Sequence, residues 1–466
     1  LGCRVHPPYL QRQKISRLTE RKGEIMSEEN PPRQLKRELG WFGAGITGLA
    51  SVIGVGIFVS IGIAAGISGT AVIAALVVAG LLGACNSLNL AQLAASNPVS
   101  GGIYEYGYKY LTPSLGFTGG WIYLLSKVAV AATAALGFAG YLLNATGWGE
   151  RHFLVPVAEA AVFIITLIVL GGMQRSKVST IAVVSVTVFS LLFLIVAGLF
   201  VHFPEGFETL LAPGKTSSNW LPNFLHSVAL MFVSYNGAAR ITMVGEEIVD
   251  PRKNIPKAVI LTVIITLLLY LGVAVVSLGS IGAEAFSAAT AEKAAPLEVV
   301  AESFGIPGAG GILAAGAVAS MLSILLTTVL GVSRLLLAMG RRGDMPSFFA
   351  QLNSAGTTPY WAVIFLGTAL ALLVLTGDVR TTWAFGTFGA MYRCVIVSLA
   401  ALRMSDEERM YPKWLSWVSL FSGLFLAFWV EWYVWSIGLG LIGIGLIWHW
   451  VAHRIKLAGQ LKLAKF

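Results

Sequence analysis

Charge is scarce in this chain. Only 12% of its 466 residues are Asp, Glu, Lys or Arg, whereas 56% are hydrophobic, and the mean hydropathy is +0.77. A water-soluble domain carries about 25% charged residues, so a surface this poor in charge excludes a globular protein dissolved in water. Cysteine is scarce too. Cys3 lies in a polar tail, Cys85 and Cys394 lie inside apolar stretches, and there is no CxxC or Cys/His cluster. Neither a disulfide framework nor a zinc site is indicated. The histidines are His6 in the tail and His152, His202, His226, His449 and His453 near the ends of apolar runs. With no HExxH, no GxSxG with partners and no paired carboxylates at depth, the chain lacks the groups an intramembrane enzyme needs. No cofactor is indicated. Residues 1–40 are polar and basic with no apolar core, which excludes a secretory signal. They read as a disordered N-terminal segment, with Met26 a more natural start than Leu1, so residues 1–25 are expected to be an over-extended reading of the start.

What the chain has in abundance is apolar runs. Blocks lie at roughly 41–67, 70–95, 114–143, 153–172, 178–203, 221–247, 256–281, 309–340, 360–377, 381–402, 412–431 and 433–453. A bilayer span needs roughly 20 mostly apolar residues, so the expectation is an all-α polytopic membrane protein with about twelve transmembrane helices and lipid as its solvent. The net charge of +9 and the pI of 9.4 do not point to nucleic acid, because the basic residues sit between the blocks. With the N-terminus placed in the cytoplasm, Arg175, Lys177, Arg252, Lys253, Arg341, Arg342, Arg403 and Arg409 fall inside. Arg151, Lys215, Lys293 and Arg380 fall outside. That asymmetry follows the positive-inside rule and predicts an even number of spans in the cytoplasmic membrane, with both termini and the tail 454–466 cytoplasmic.

Two spans carry helix interrupters at mid-depth. In the first, Ile53-Gly54-Val55-Gly56-Ile57 places two glycines one residue apart. Glycine lets the backbone leave helical geometry, and N–H groups at the start of the following half-helix suit a carboxylate. In the sixth, Phe232-Val233-Ser234-Tyr235-Asn236-Gly237 contains Asn-Gly, a strong interrupter. Carbonyls freed there suit an ammonium, and Tyr235 is placed to cover the site. Interrupted segments at matching positions of two halves point to a transporter site between repeats.

These residues resemble a known family. Ile53–Phe58 looks like the first-helix glycine signature of the amino acid–polyamine–organocation superfamily. Asn97-Pro98-Val99-Ser100-Gly101-Gly102 resembles its motif after the second helix. Tyr235–Pro256, with Glu246-Glu247 and Asp250-Pro251, resembles its sixth-helix motif and loop. Ser333-Arg334 and Gly343-Asp344-Met345-Pro346 resemble the end of its eighth helix. The resemblance covers about residues 36 to 405. It implies a LeuT-like core of two inverted five-helix repeats, 41–203 and 221–402, with two peripheral helices in 412–453. It also implies alternating access and an amino-acid substrate. The loop carboxylates Glu246 and Glu247 are expected to pair with Arg334, Arg341 or Arg342 and hold an inner gate.

Departures from the pattern bear on coupling. A second-helix Ala-Glu-Leu of many members reads Ala91-Gln92-Leu93 here, and a fifth-helix Lys of proton-coupled members aligns with Val186. Lys127 instead stands midway along the third span. An ionisable residue at that depth is a functional candidate by default, either as a proton carrier, as a fixed charge in place of an ion, or as a snorkelling side chain. Arg240 and Arg393 are the other intramembrane cations. Arg240 is open to a gate or packing role or to a substrate carboxylate. Ser323, Thr327 and Thr328 offer hydroxyls for a sodium site, or simply bond back to the preceding turn. Almost no Asp or Glu stands at depth, so charge complementarity favours neutral, or else anionic, amino acids over cationic ones. The alternatives are an amine or polyamine carrier, an amino-acid exchanger and, further off, a channel.

Overall fold

In the computed structural model, residues 39–97, 102–148, 151–172, 177–202, 219–236, 238–243, 247–353 and 356–463 are described. Of the expected site residues, Gly237 and Glu246 lie outside them, as do residues 1–38. The described residues are almost entirely helical. Pairing of β type is confined among them to one isolated bridge, Leu39 with Ile248.

The first apolar block forms α1 (Trp41–Val52), a π-helical turn (Gly56–Ser60) and α2 (Ile61–Ser68). Gly69, at φ 61°, separates α2 from α3 (Val72–Ser96). After the short α4 (Ile103–Tyr110) come α5 (Pro113–Ala145), α6 (Leu154–Leu170) and α7 (Lys177–His202). The sixth block is again divided, into α8 (Trp220–Phe232), a 3-10 turn (Val233–Tyr235) and α9 (Ala238–Met243). Then follow α10 (Pro251–Lys293, kinked at Gly282), α11 (Pro296–Glu302), α12 (Ala309–Arg342), α13 (Tyr360–Val374), α14 (Val379–Leu402), α15 (Lys413–Leu426) and α16 (Trp432–Leu463). Helix α16 runs ten residues past 453, so the expected tail is mostly helical.

Helix starts follow from local chemistry. Thr112 accepts from the Leu115 N–H at 3.3 Å, with Pro113 in the first turn of α5. Asp378 caps α14, accepting from the N–H groups of Arg380 and Thr381. Eight helical segments among the described residues are long and apolar enough to cross a membrane. The sequence reading counts more because Gly56–Ser96 joins the first two blocks into one such segment, the sixth block is divided, and Tyr360–Val374 and Lys413–Leu426 are apolar but short. The outward faces are apolar: Phe163, Phe200, Leu268 and Leu372 are exposed. Polar side chains such as Asn86, Asn89, Gln92 and Thr133 are buried instead, the reverse of a protein folded for water.

Helix α5 is the hub. Its small residues Ala131, Ala132 and Ala134 are fully buried, and it packs along both α14 and α12. This packing brings the middle of α5 and α14 against the two divided spans.

Candidate functional site

Unwinding a helix in a buried interior frees backbone groups that must find partners. At the first break Ile53 leaves the helix (φ −74°, ψ 93°), and the freed carbonyls are taken by side chains. Ser320 donates to the Ile53 carbonyl at 2.6 Å and Tyr270 to the Val52 carbonyl at 3.2 Å. The glycines are explained by close approach. A Cβ on Gly56 would stand 2.1 Å from the Tyr270 hydroxyl and 2.9 Å from the Ser234 hydroxyl. One on Gly54 would meet the Ile324 side chain at 2.1 Å. The two breaks touch: the hydroxyls of Ser60 and Ser234 are 3.4 Å apart, and Ser60 also donates back to the Gly56 carbonyl.

A cavity of about 50 Å³ lies where the breaks meet, lined by Val55 and Gly56 of the first and by Val233, Ser234 and Asn236 of the second. A second cavity of about 120 Å³ adjoins it, and Ser51, Tyr123, Lys127, Val130 and Ile324 line both. Tyr123, Lys127 and Val130 follow helical spacing along one face of α5. The Lys127 ammonium stands 5.6 Å from the centre of the Tyr123 ring. Arg393 and Trp383 of α14 close the smaller cavity; Arg240, Thr180, Thr327 and Thr328 line the larger. Three cations thus border one connected space, and its described lining contains no Asp or Glu.

Of the residues expected from sequence, Val55, Gly56, Ser234, Asn236, Lys127, Arg240, Thr327 and Thr328 line this space. Ile53, Gly54, Ile57 and Phe232 shape the breaks without lining it. Tyr235 is placed differently from the lid expected of it. Its hydroxyl donates to the Leu76 carbonyl at 3.0 Å, and its ring packs over Gly80 and Gly83 of α3. Thr327 donates to the Ser323 and Ile324 carbonyls of its own helix, which is the back-bonding arrangement rather than a hydroxyl held out for an ion. Val186 is exposed on α7, with its neighbour Thr187 turned inward. Gln92 accepts from the N–H groups of Met410 and Tyr411 and so ties α3 to the segment before α15.

Of the expected inner gate, Glu246 lies outside the described residues; among those described, Arg342 pairs with Glu105 of α4, at 2.9 and 3.1 Å. Tyr104 and Tyr108 both donate to Asp344 just beyond it. Glu247 contributes its backbone, accepting from the Leu39 N–H at 3.0 Å. Glu247 and Arg334 flank the charge of Arg240 without lining the cavities. Sequence reading missed Tyr123, Ser126 and Trp383, and noted Arg393 without placing it in the site. No local pattern marks them, because their position depends on how α14 packs on α5.

Beyond the first break the π-helical turn is tied to α5, and α5 to α11. Tyr141 donates to the Phe58 carbonyl at 2.8 Å and accepts from the Leu297 N–H at 3.1 Å. Beside it Glu298 is 1% exposed, with one carboxylate oxygen unpartnered. Burial pushes this carboxyl up to about 8 from 4.5; Glu302 adds to the rise, while Asn144 and Lys293 oppose it. A raised folded-state value means that the folded protein holds the proton more tightly than the unfolded chain. Its stabilisation is full below pH 4.5 and is lost as pH rises through about 8. Thermal unfolding of the detergent-solubilised protein is expected to show a midpoint that falls over that window. Glu298→Gln flattens the profile; an unchanged slope in the variant contradicts the assignment.

Comparison with known proteins gives the class. The model of the amino acid permease family matches residues 43–452. An uncharacterized transporter of Mycobacterium tuberculosis is 31% identical over 415 residues, covering 89% of this chain and 91% of its own. A branched-chain amino acid permease of Bacillus subtilis is 26% identical, covering 84% and 85%. A methylthioribose transporter of the same organism is 25% identical, covering 83% and 85%. The chain belongs to the amino acid permease family, and so is a multi-pass membrane transporter for amino acids rather than an enzyme.

Proposed function

We propose that this permease carries neutral amino acids across the cell membrane by alternating access. The observation that carries the reading is the cavity at the crossing of the two breaks, bordered by Gly56, Ser234 and Asn236 and by cations, with no carboxylate among its described lining residues. The positive dipole end of the half-helix that begins at Gly56 suits the substrate carboxylate; the turn at Ser234–Asn236 suits the ammonium. Lys127, Arg240 and Arg393 oppose a cationic side chain.

In this reading residues 41–203 and 221–402 are two inverted repeats of a LeuT-like fold. Residues 412–453 are peripheral, the chain crosses the lipid bilayer about twelve times, and both termini are cytoplasmic. The larger cavity opens toward the cytoplasmic end, where Arg240 stands. The Tyr141–Phe58–Leu297 contacts are the closed outer gate. Lys127 is the proton carrier of a symport.

Uptake of a labelled amino-acid panel into proteoliposomes tests this. Neutral amino acids are expected to enter saturably and to accumulate under an inward proton gradient. Preferential uptake of lysine, arginine or polyamines is the result that would overturn it.

A further inference from the structure

Among the described residues, Arg393 is a buried charge whose partners are missing. Its residue is 4% exposed, both terminal guanidinium nitrogens lack a hydrogen-bond partner, and it forms part of the wall of the smaller cavity. Desolvating a guanidinium without an anion is strongly unfavourable. Lys127 lines the same cavity, so a second positive charge faces the same volume, and no carboxylate among the described lining answers either. The α-carboxylate of a substrate does not answer both, because in the transport reading it is held at the positive end of the half-helix that begins at Gly56.

We propose that the Lys127–Arg393 side of the smaller cavity is an anion subsite, separate from the α-carboxylate position and filled in the transport cycle by a second negative group. It rests on the transport reading only for where the α-carboxylate lies. Two sources share the chemistry: the side-chain carboxylate of an acidic substrate, or a free small anion such as chloride bound together with a neutral one. Arg393 is suited to either. Its planar fork donates to a carboxylate in bidentate fashion, and its helix α14 packs along α5.

Two measurements on the intact protein test it, one of them independent of flux. In the first, the thermal midpoint of the solubilised wild type is compared in gluconate, in chloride and in gluconate with aspartate. The subsite predicts a higher midpoint with chloride or aspartate, absent in Arg393→Gln and partly kept in Arg393→Lys. In the second, proteoliposome uptake is measured in the same three media. If a free anion fills the subsite, uptake of neutral amino acids falls about tenfold or more when gluconate replaces chloride. If a substrate carboxylate fills it, aspartate or glutamate is taken up independently of chloride and outcompetes asparagine and glutamine about tenfold or more. A wild-type midpoint indifferent to both anions, with uptake indifferent to chloride and to acidic competitors, overturns the proposal even if neutral amino acids are carried. An anion-dependent midpoint lost in Arg393→Gln, with no amino-acid flux, leaves the subsite standing and removes the transport reading instead.

Discussion

Gly56→Ala is expected to abolish most transport while leaving the protein folded. The added methyl would stand 2.1 Å from the Tyr270 hydroxyl and 2.9 Å from the Ser234 hydroxyl. Neither neighbour yields freely. Tyr270 is fully buried and bonded to the Val52 carbonyl, and Ser234 belongs to the second break. Overpacking a filled interior costs about 1–3 kcal/mol, which on a binding equilibrium is roughly 5- to 150-fold. That strain falls on the contact between the two breaks rather than on a distant part of the fold. Gly54→Ala is the control. It meets the far end of the Ile324 side chain, which can rotate away, so a much smaller loss is expected. Apparent affinity and initial rate of both variants in proteoliposomes check this. Equal losses in the two, or a wild-type rate in Gly56→Ala, contradict the placement of the site.

Lys127→Ala is expected to separate accumulation from exchange. In the proposed cycle Lys127 takes and releases the proton at the boundary between the two cavities. A pH difference of one unit is worth about 1.4 kcal/mol, enough for about tenfold accumulation of one substrate per proton. The variant is expected to lose that accumulation, so that internal and external concentrations become equal. It still exchanges labelled for unlabelled substrate, because Gly56, Ser234 and Asn236 remain and Arg393 keeps the anion subsite charged. Accumulation that persists in Lys127→Ala would return Lys127 to a structural role over the Tyr123 ring.

Some of this architecture is plain in the sequence, and for a physical reason. Lipid offers no hydrogen bonds, so each crossing segment must satisfy its own backbone as a helix, and the apolar runs stand out. The breaks are legible on the same ground, since Gly54, Gly56 and the Asn236–Gly237 pair are where the sequence permits the helix to be left. Side-chain direction at the breaks is not legible. Tyr235 reads as a lid, but Gly80 and Gly83 on a distant helix make the seat that turns it away. The wall formed by Trp383 and Arg393 is equally hidden, because Trp383 is aimed by a bond to the Leu230 carbonyl, 153 residues away. The pairing of Arg342 with Glu105 is hidden as well, because it exists only where α4 meets the end of α12.

The central claim is that the cavity where the breaks cross holds an amino acid by its carboxylate and not an amine by its charge. Equilibrium binding to the purified protein tests this most directly, comparing a labelled neutral amino acid with competition by its decarboxylated amine. Saturable binding that the amine does not displace is the expected result. Displacement by the amine as effective as by the amino acid itself would contradict it, and would make the cations of this cavity structural rather than selective.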